Sequence, residues 1–189
     1  ISEHDLFNTV VNLGDFPYQE SADTLYYVAS ILPEHLTKVF KDALDSLEHL
    51  RNNGIIPNRI PNRFILKRRL KSVNKEERML AAFSLGCKIN QRSADILLKR
   101  IRSGAETDIA VLKASRSSLA FLKKNGIILN SSREYYFAHN FLHYRAKRIN
   151  AQNPELQHQA IVALSCLLDE SGANVIFRLL RDQENAPEI

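Results

Sequence analysis

The chain has 189 residues, of which 44% are hydrophobic and 25% charged, and its formal net charge is +5. These values are typical of a globular protein and exclude a disordered or fibrous chain. No apolar run reaches the ~20 residues that cross a bilayer, no signal peptide is recognisable, and two distant cysteines exclude a disulfide scaffold. We therefore expect a cytoplasmic protein, nuclear in a eukaryote, without membrane contact. Because the sequence starts with Ile1, we also expect a piece of a longer parent chain.

The first fifty residues predict helices only. An amphipathic helix over residues 1–13 is broken at Gly14 and Pro17, and Ser21 is placed to cap a second helix. Pro33 then opens a third helical stretch, which we expect to be split in two near Ala43. Its apolar side chains recur every three or four residues, at Leu36, Val39, Phe40, Leu44, Leu47 and Leu50.

The middle of the chain alternates helices with polar turns. Gly54 is expected to end the third helix in a left-handed conformation, and the prolines at 57 and 61 indicate an extended segment. Asn74 is expected to cap a helix, and Asn90 or Gln91 begins the next one. A helix over 109–124 ends at Asn125-Gly126. Residues 128–140 alternate extended and turn character, and a helix follows over 141–149.

The last part of the chain predicts two helices joined at Glu170-Ser171-Gly172, and this pair resembles one unit of a HEAT-type array. The residues after Asp182 are expected to fray.

An internal repeat suggests how these elements are grouped. The 25 residues from Ser46 align with those from Ser118, so that Leu50 falls opposite Leu122 and Asn-Gly-Ile-Ile follows in both copies. In each copy two helices precede, and a polar turn and an aromatic residue follow. Helix, helix, helix, strand, wing, strand is the winged-helix plan; the alternative is a generic helical bundle. We therefore predict a mainly α chain of tandem winged-helix modules with short β-wings, followed by a HEAT-like helix pair. The expected parts are an N-terminal helix (1–19), module 1 (20–74), module 2 (75–148) and the C-terminal pair (149–189).

The second copy carries a family resemblance. Residues 119–149 (LAFLKKNGIILNSSREYYFAHNFLHYRAKRI) resemble the winged-helix segment that follows the NTPase core in STAND-type regulatory ATPases, which include NACHT, NB-ARC and MalT-like proteins. The resemblance implies that Phe137-Ala138-His139 occupies their aromatic-x-His motif. It also implies that His139 senses nucleotide by contacting the β-phosphate of bound ADP. The alternative is a packed histidine without a ligand. The phosphate-binding G-x-x-x-x-G-K-[ST] motif is absent from this sequence.

No catalytic or metal-binding pattern accompanies this resemblance. His139 and His143 share a helix face at i, i+4, but the glutamate of H-E-x-x-H is missing and no third ligand is in view. Cys87 and Cys166 lack the basic neighbours of a reactive thiol. We expect no catalysis, no metal and no cofactor.

The charges are strongly segregated along the chain. Residues 1–50 hold 2 basic and 9 acidic groups, residues 51–148 hold 22 and 6, and residues 149–189 hold 2 and 6. A basic block of this kind predicts a polyanionic partner, although the acidic flanks could instead neutralise it within the chain. The expected contacts are Arg59, Arg63, Lys67, Arg68, Arg69 and Lys71 in the first copy, and Arg92, Lys99, Arg100, Arg102, Lys113, Arg116, Lys123 and Lys124 in the second.

Two functions remain open on the sequence. The first is a non-catalytic module of a regulatory protein that binds nucleic acid, with DNA favoured. The second is a protein-interaction domain of a STAND-type NTPase, which relays nucleotide state and presents its basic face to an acidic protein surface.

Overall fold

The structure is a computed structural model that describes residues 3–148 and 154–184, and α-helices dominate it. The chain divides into two compact units, Ile1–Lys88 and Ile89–Ile189. Unit 1 contains α1 (Glu3–Asp15), α2 (Gln19–Ile31), α3 (Thr37–Asn52), α4 (Arg63–Arg69) and α5 (Lys75–Cys87), with a short 3-10 helix at Glu34–Leu36. Unit 2 contains α6 (Gln91–Arg102), α7 (Ile109–Lys124), α8 (Arg133–Arg148), α9 (Pro154–Ser165) and α10 (Glu170–Glu184), with a 3-10 helix at Leu129–Ser131. The repeat placed a boundary after Asn74, whereas α5 packs on α2, α3 and α4 within unit 1.

The core of unit 1 is organised by α3. The predicted apolar stripe is confirmed for Val39, Phe40, Leu44, Leu47 and Leu50, which are buried against α1, α2 and α5. Leu36 lies instead in the short 3-10 helix and is only partly buried. The predicted break near Ala43 is wrong, since α3 runs without interruption through that residue. Ala43 is fully buried and is a strong helix former, so neither packing nor propensity interrupts the helix there.

Helices α1 and α3 approach each other closely at Gly14. A Cβ atom placed on Gly14 would lie 2.5 Å from Oγ and 2.7 Å from Cβ of Ser46. The missing side chain therefore allows α1 to pack against α3 at this point.

Arg51, in the last turn of α3, is fully buried in the core of unit 1. Its guanidinium carbon lies 4.8 Å from the ring centroid of Phe83 on α5, and a terminal nitrogen lies 3.9 Å from Oε1 of Glu48. The charge is thus held by a cation–π contact, by an ion pair and by the carbonyl end of its own helix.

Two of the predicted helix caps are present in the structure, and one is not. Asn74 accepts a hydrogen bond from the Glu77 backbone N–H at 2.7 Å, and Asn90 accepts one from the Ser93 N–H at 3.0 Å, which confirms both caps. The prediction for Ser21 is wrong, because α2 begins at Gln19 and the Ser21 side chain is buried within it.

The repeated Asn-Gly-Ile-Ile sequence is a helix stop in both units. Gly54 and Gly126 have φ angles of 85° and 87°, the left-handed conformation that only glycine adopts without strain. The N–H of Ile55 donates to the Leu50 carbonyl at 2.9 Å, and the N–H of Ile127 donates to the Leu122 carbonyl at 3.0 Å. The N–H of Gly54 donates to the Arg51 carbonyl, and the N–H of Gly126 donates to the Lys123 carbonyl. Each site is therefore a Schellman motif. The repeat therefore encodes the ends of two 16-residue helices, α3 and α7.

The predicted winged-helix modules with β-wings are wrong, because residues 3–148 and 154–184 contain no strand. In the first copy Pro57 and Pro61 cannot donate to a strand ladder, and Asn62 accepts from the Ile65 N–H at 3.1 Å to start α4. In the second copy Ser132 accepts from the Tyr135 N–H at 3.0 Å at the start of α8. Each polar stretch that was interpreted as a wing therefore contains the residue that caps the next helix, Asn62 for α4 and Ser132 for α8. Residues 133–140, which were expected to be extended, lie in α8, and so does the Phe137-Ala138-His139 motif.

In unit 2, α8 packs against α6, α9 and α10. Helix α6 contacts α7 and α8, and α9 contacts α7, α8 and α10. The two C-terminal helices are present, but their junction is residues 166–169, because Glu170, Ser171 and Gly172 already form the first turn of α10. Asp169 starts that turn, since its carboxylate accepts from the Gly172 N–H at 2.6 Å. No described helix has both the length and the apolar content to cross a membrane.

Candidate nucleic-acid interface

A basic and aromatic surface of unit 1 is built around α4, and we call it the α4 surface. Leu66 and Leu70 lie four residues apart and are buried, so they fix one face of the short helix against the core. The side chains on the other faces point outward. The surface comprises Tyr27 and Ile31 of α2, Arg59 and Pro61 of the preceding loop, Arg63, Phe64, Ile65, Lys67, Arg68 and Arg69 of α4, and Lys71 after it.

The α4 surface carries an excess of positive charge. Residues 59–75 contain seven basic and no acidic side chains. Arg69 lies 3.6 Å from a Glu77 carboxylate oxygen, and Lys75 lies 3.8 Å from one of Glu76. No ion pair within the described part of the chain involves four of the cations, which are Arg63, Lys67, Arg68 and Lys71. Their charge is available to a ligand.

Two open depressions lie on this surface, and Arg69 lines both. One, of about 630 Å³, is lined by Tyr27, Ile31 and Arg59 among others. The other, of about 730 Å³, is lined by Phe64, Ile65, Arg68 and Lys71 among others. Each depression therefore combines apolar or aromatic side chains with cationic ones, and each also contains one carboxylate, Asp23 in the first and Glu77 in the second.

Asp23 fixes the loop that carries Arg59. Its Oδ1 accepts from the Asn58 N–H at 2.6 Å, and its Oδ2 accepts from the Asn58 side-chain amide at 2.9 Å. Burial acts to raise the pKa of Asp23, but these hydrogen bonds, one from Gln19 and the nearby Arg59 charge hold that pKa below its ordinary value. The carboxylate therefore stays ionised and ties the loop to α2.

The aromatic component of the α4 surface was missed by the sequence prediction. Phe64 is not among the predicted contact residues, yet 79% of its surface is exposed. Tyr27, on the neighbouring α2, is 63% exposed. The i, i+4 spacing of Leu66 and Leu70 was the available signal, since a helix that buries these two leucines turns Phe64 outward.

Two of the basic side chains predicted in unit 2 form internal ion pairs. Arg100 lies 3.2 Å from the buried carboxylate of Glu106. Arg102 lies 3.2 Å from Glu134, and its guanidinium carbon is 4.9 Å from the ring centroid of Phe137. These charges are neutralised by Glu106 and Glu134, which belong to the basic block 51–148 and not to the acidic flanks.

Two further cations of α7 bind carbonyl groups at the end of α9. Arg116 donates to the Ser165 carbonyl at 3.3 Å, and Lys123 donates to the Leu168 carbonyl at 2.8 Å. Carbonyls at a helix C-terminus carry partial negative charge, which cations stabilise. Leu168 itself has a φ of 54°, a strained conformation for a leucine, and the Lys123 hydrogen bond helps to hold it.

The remaining predicted cations of unit 2 are exposed and dispersed. Arg92 lies at the start of α6 and Lys99 near its end, while Lys113 and Lys124 lie eleven residues apart on α7, or about 16 Å along the axis. The predicted sites thus separate into a concentrated group in unit 1 and a group in unit 2 that is half engaged in internal contacts.

His139 belongs to a polar cluster at the start of α10. Its Nε2 lies 3.8 Å from Oδ2 of Asp169, and the Tyr135 hydroxyl donates a hydrogen bond to the same carboxylate oxygen. Burial, together with the neighbouring Asp169, raises the pKa of Tyr135. The His139 ring stacks on that of His143 at 4.2 Å, and His143 lies 3.4 Å from the Ser171 hydroxyl. His139 therefore contacts Asp169 and His143 within unit 2. Its assignment as a nucleotide sensor stays a prediction.

The thiols of this chain are not placed for nucleophilic chemistry. Cys87 and Cys166 are buried, and burial raises the pKa of each to about 12. Within residues 3–148 and 154–184, no group of three His, Cys, Asp or Glu side chains could hold a metal ion.

Comparison with known proteins gives no further guide to function. No protein-family model, no curated protein and no solved structure matches this chain. Function is therefore inferred from the α4 surface and from the charges around it.

Proposed function

We propose that this chain is a non-catalytic segment that binds nucleic acid through the α4 surface of unit 1. The observation that carries the proposal is the group of four cations, Arg63, Lys67, Arg68 and Lys71, on one short helix and its following turn. A nucleic-acid backbone presents closely spaced phosphates, and each Lys or Arg that neutralises one releases a counterion. A cluster of this density matches such a ligand better than scattered surface charge does.

The cations of unit 2 are not part of the proposed binding surface. Arg100, Arg102, Arg116 and Lys123 stabilise the unit through internal contacts, so removing them would disturb folding as well as charge. The four exposed cations of unit 2 are dispersed over two helices. They provide a matched control, since they equal the α4 group in number and charge but do not form its cluster.

The test is fluorescence anisotropy with a labelled DNA of mixed sequence, titrated at several salt concentrations. One variant replaces the α4 cations by alanine, and the control replaces the exposed cations of unit 2, namely Arg92, Lys99, Lys113 and Lys124. If all four α4 cations contact phosphates, the slope of log K against log salt falls in magnitude by about 3–4. The control is expected to retain most of the affinity and slope of the unmodified chain.

Three results would contradict the proposal. Equal losses in both variants would show that net charge alone drives binding. Absence of binding at low salt would exclude a nucleic-acid ligand. Binding that polyglutamate displaces as readily as DNA, with no preference for nucleic acid, would instead indicate an acidic protein surface as the partner.

A further inference from the structure

We infer that the ligand of the α4 surface is single-stranded nucleic acid, with bases stacked on Phe64 and Tyr27 and phosphates held by the surrounding cations. This inference rests on the proposed function and specifies its ligand class. Three features of the surface carry it: exposed aromatic rings, the pairing of each ring with cations in one depression, and the fact that Arg69 lines both depressions.

The exposed rings are the first feature. Phe64 is 79% exposed, and its ring makes no aromatic or cation–π contact within the residues that the structure describes. Phenylalanine has no polar atom that water could satisfy, so an exposed ring of this kind suits a flat apolar ligand. The bases of a single strand have free π-faces, and any base can stack on an aromatic side chain.

A duplex offers no equivalent surface to these rings. Its bases are stacked on one another, and only their edges reach the grooves. Reading those edges requires side chains such as Asn, Gln or Arg on an element that enters the groove. Helix α4 carries three arginines but has only seven residues, and Phe64 and Ile65 are exposed beside them. Its cations would still contact duplex phosphates, but its rings would have no base face to bind.

The two depressions suggest how a strand is bound. Tyr27 and Arg59 line one, and Phe64 and Arg68 line the other. Their volumes, about 630 and 730 Å³, fall in the range of pockets that hold small-molecule ligands. Arg69 lines both. Its Nε lies 3.6 Å from a Glu77 carboxylate oxygen, and its two terminal nitrogens are the donors that we assign to a phosphate. Neighbouring bases would therefore lie in the two depressions, with the intervening phosphate at Arg69.

An anionic membrane is the other surface that combines apolar and cationic contacts. The geometry favours nucleic acid, because the apolar side chains line two depressions whose walls also contain arginine side chains. A helix that lies in a membrane interface presents one continuous apolar face instead.

The experiment measures binding of the full chain to a labelled homopyrimidine single strand and to a mixed-sequence duplex with the same number of phosphates. We expect tighter binding to the single strand at matched salt. Phe64→Ala should weaken single-strand binding about 5- to 150-fold, the equivalent of about 1–3 kcal/mol for one base stack. In the Phe64→Ala variant, the slope of log K against log salt and the affinity for the duplex should stay unchanged. Phe64→Tyr should retain single-strand binding. Val73→Ala removes an exposed apolar side chain outside the depressions and serves as the control, so it should leave single-strand binding unchanged.

The outcomes separate this inference from the proposed function. Equal affinity for both nucleic acids, with no effect of Phe64→Ala on the single strand, would overturn the single-strand inference while the proposed function stands. Binding to neither nucleic acid would overturn both. Binding to vesicles that contain phosphatidylserine, but not to either nucleic acid, would also overturn both and identify a membrane surface.

Discussion

The left-handed glycine at the end of α3 gives the sharpest test of the fold. Gly54 has a φ of 85°, and a Cβ placed on it meets no atom within 4 Å. Replacing it by alanine therefore removes no contact and creates no clash. Any loss of stability must come from the backbone conformation, which makes the effect of the substitution calculable.

The expected loss is the difference between two backbone contributions. The left-handed conformation costs an L-residue about 1–2 kcal/mol, whereas Gly→Ala returns about 0.4–1 kcal/mol by restricting the unfolded chain. Gly54→Ala should therefore lower the free energy of unfolding by about 0.5–1.5 kcal/mol. For a unit of this size, 1 kcal/mol corresponds to about 4–8 °C in Tm. Gly126→Ala should cost a similar amount in unit 2, since its φ is 87° and its Cβ space is equally open.

The assay is urea unfolding followed by circular dichroism at helical wavelengths. Gly54→Asn should be less costly than Gly54→Ala, because asparagine tolerates the left-handed region, and Gly54→Val should be more costly. Asn52→Ala, at the last exposed residue of α3, is the adjacent control and should change stability by less than about 0.5 kcal/mol. If alanine, asparagine and valine were all tolerated equally, Gly54 would not have a left-handed conformation and the Schellman motif would be wrong.

Three further predictions concern packing and titration. Gly14→Ala should cost about 1–3 kcal/mol by overpacking, and Ser46→Gly in the same chain should recover most of it in urea unfolding; no recovery would refute the close approach. Cys87 and Cys166 should react with a thiol reagent at pH 8 only as fast as the chain unfolds, because burial raises their pKa to about 12. Rapid labelling of the native chain would contradict the burial of these thiols. The stability that the protonated thiols contribute is present below the unfolded thiol pKa and is lost as pH rises towards 12. The lowered pKa of Asp23 gives stability that is present above its unfolded pKa, near 3.8, and is lost as the pH falls through the lower folded value. Asp23→Asn should therefore reduce the drop in urea midpoint on acidification, and an unchanged drop would exclude this carboxylate as a contributor.

The helix boundaries that were predictable from sequence are those set by local hydrogen bonds. Asn74, Asn90 and Gly54 act on neighbouring backbone groups, so short-range spacing was sufficient to identify them. The β-wings could not be judged in the same way, because polar residues such as Asn62 and Ser132 start helices as readily as they form hairpin turns. The residues after each polar stretch decide between the two structures, and in unit 1 the spacing of two buried leucines favours a helix.

The candidate site was only partly accessible from sequence for a different reason. Composition located the cations but not their partners, which lie far apart along the chain. Arg102 pairs with Glu134 across 32 residues, and Arg116 binds the Ser165 carbonyl across 49. Which cations remain available to a ligand is therefore decided by tertiary packing, and a sequence pattern cannot distinguish them.

The buried Arg51 has a consequence for how unit 1 responds to heat. Its guanidinium is a charged group that is fully buried, so folding removes a charge from water. Hydration of charged groups becomes less favourable as temperature rises, and the cost of dehydrating Arg51 falls accordingly. Its contacts with Phe83 and Glu48 therefore contribute more to net stability in a warm protein than in a cold one. In this respect Arg51 differs from the leucines around it, whose stabilisation per unit of buried area reaches a plateau on heating.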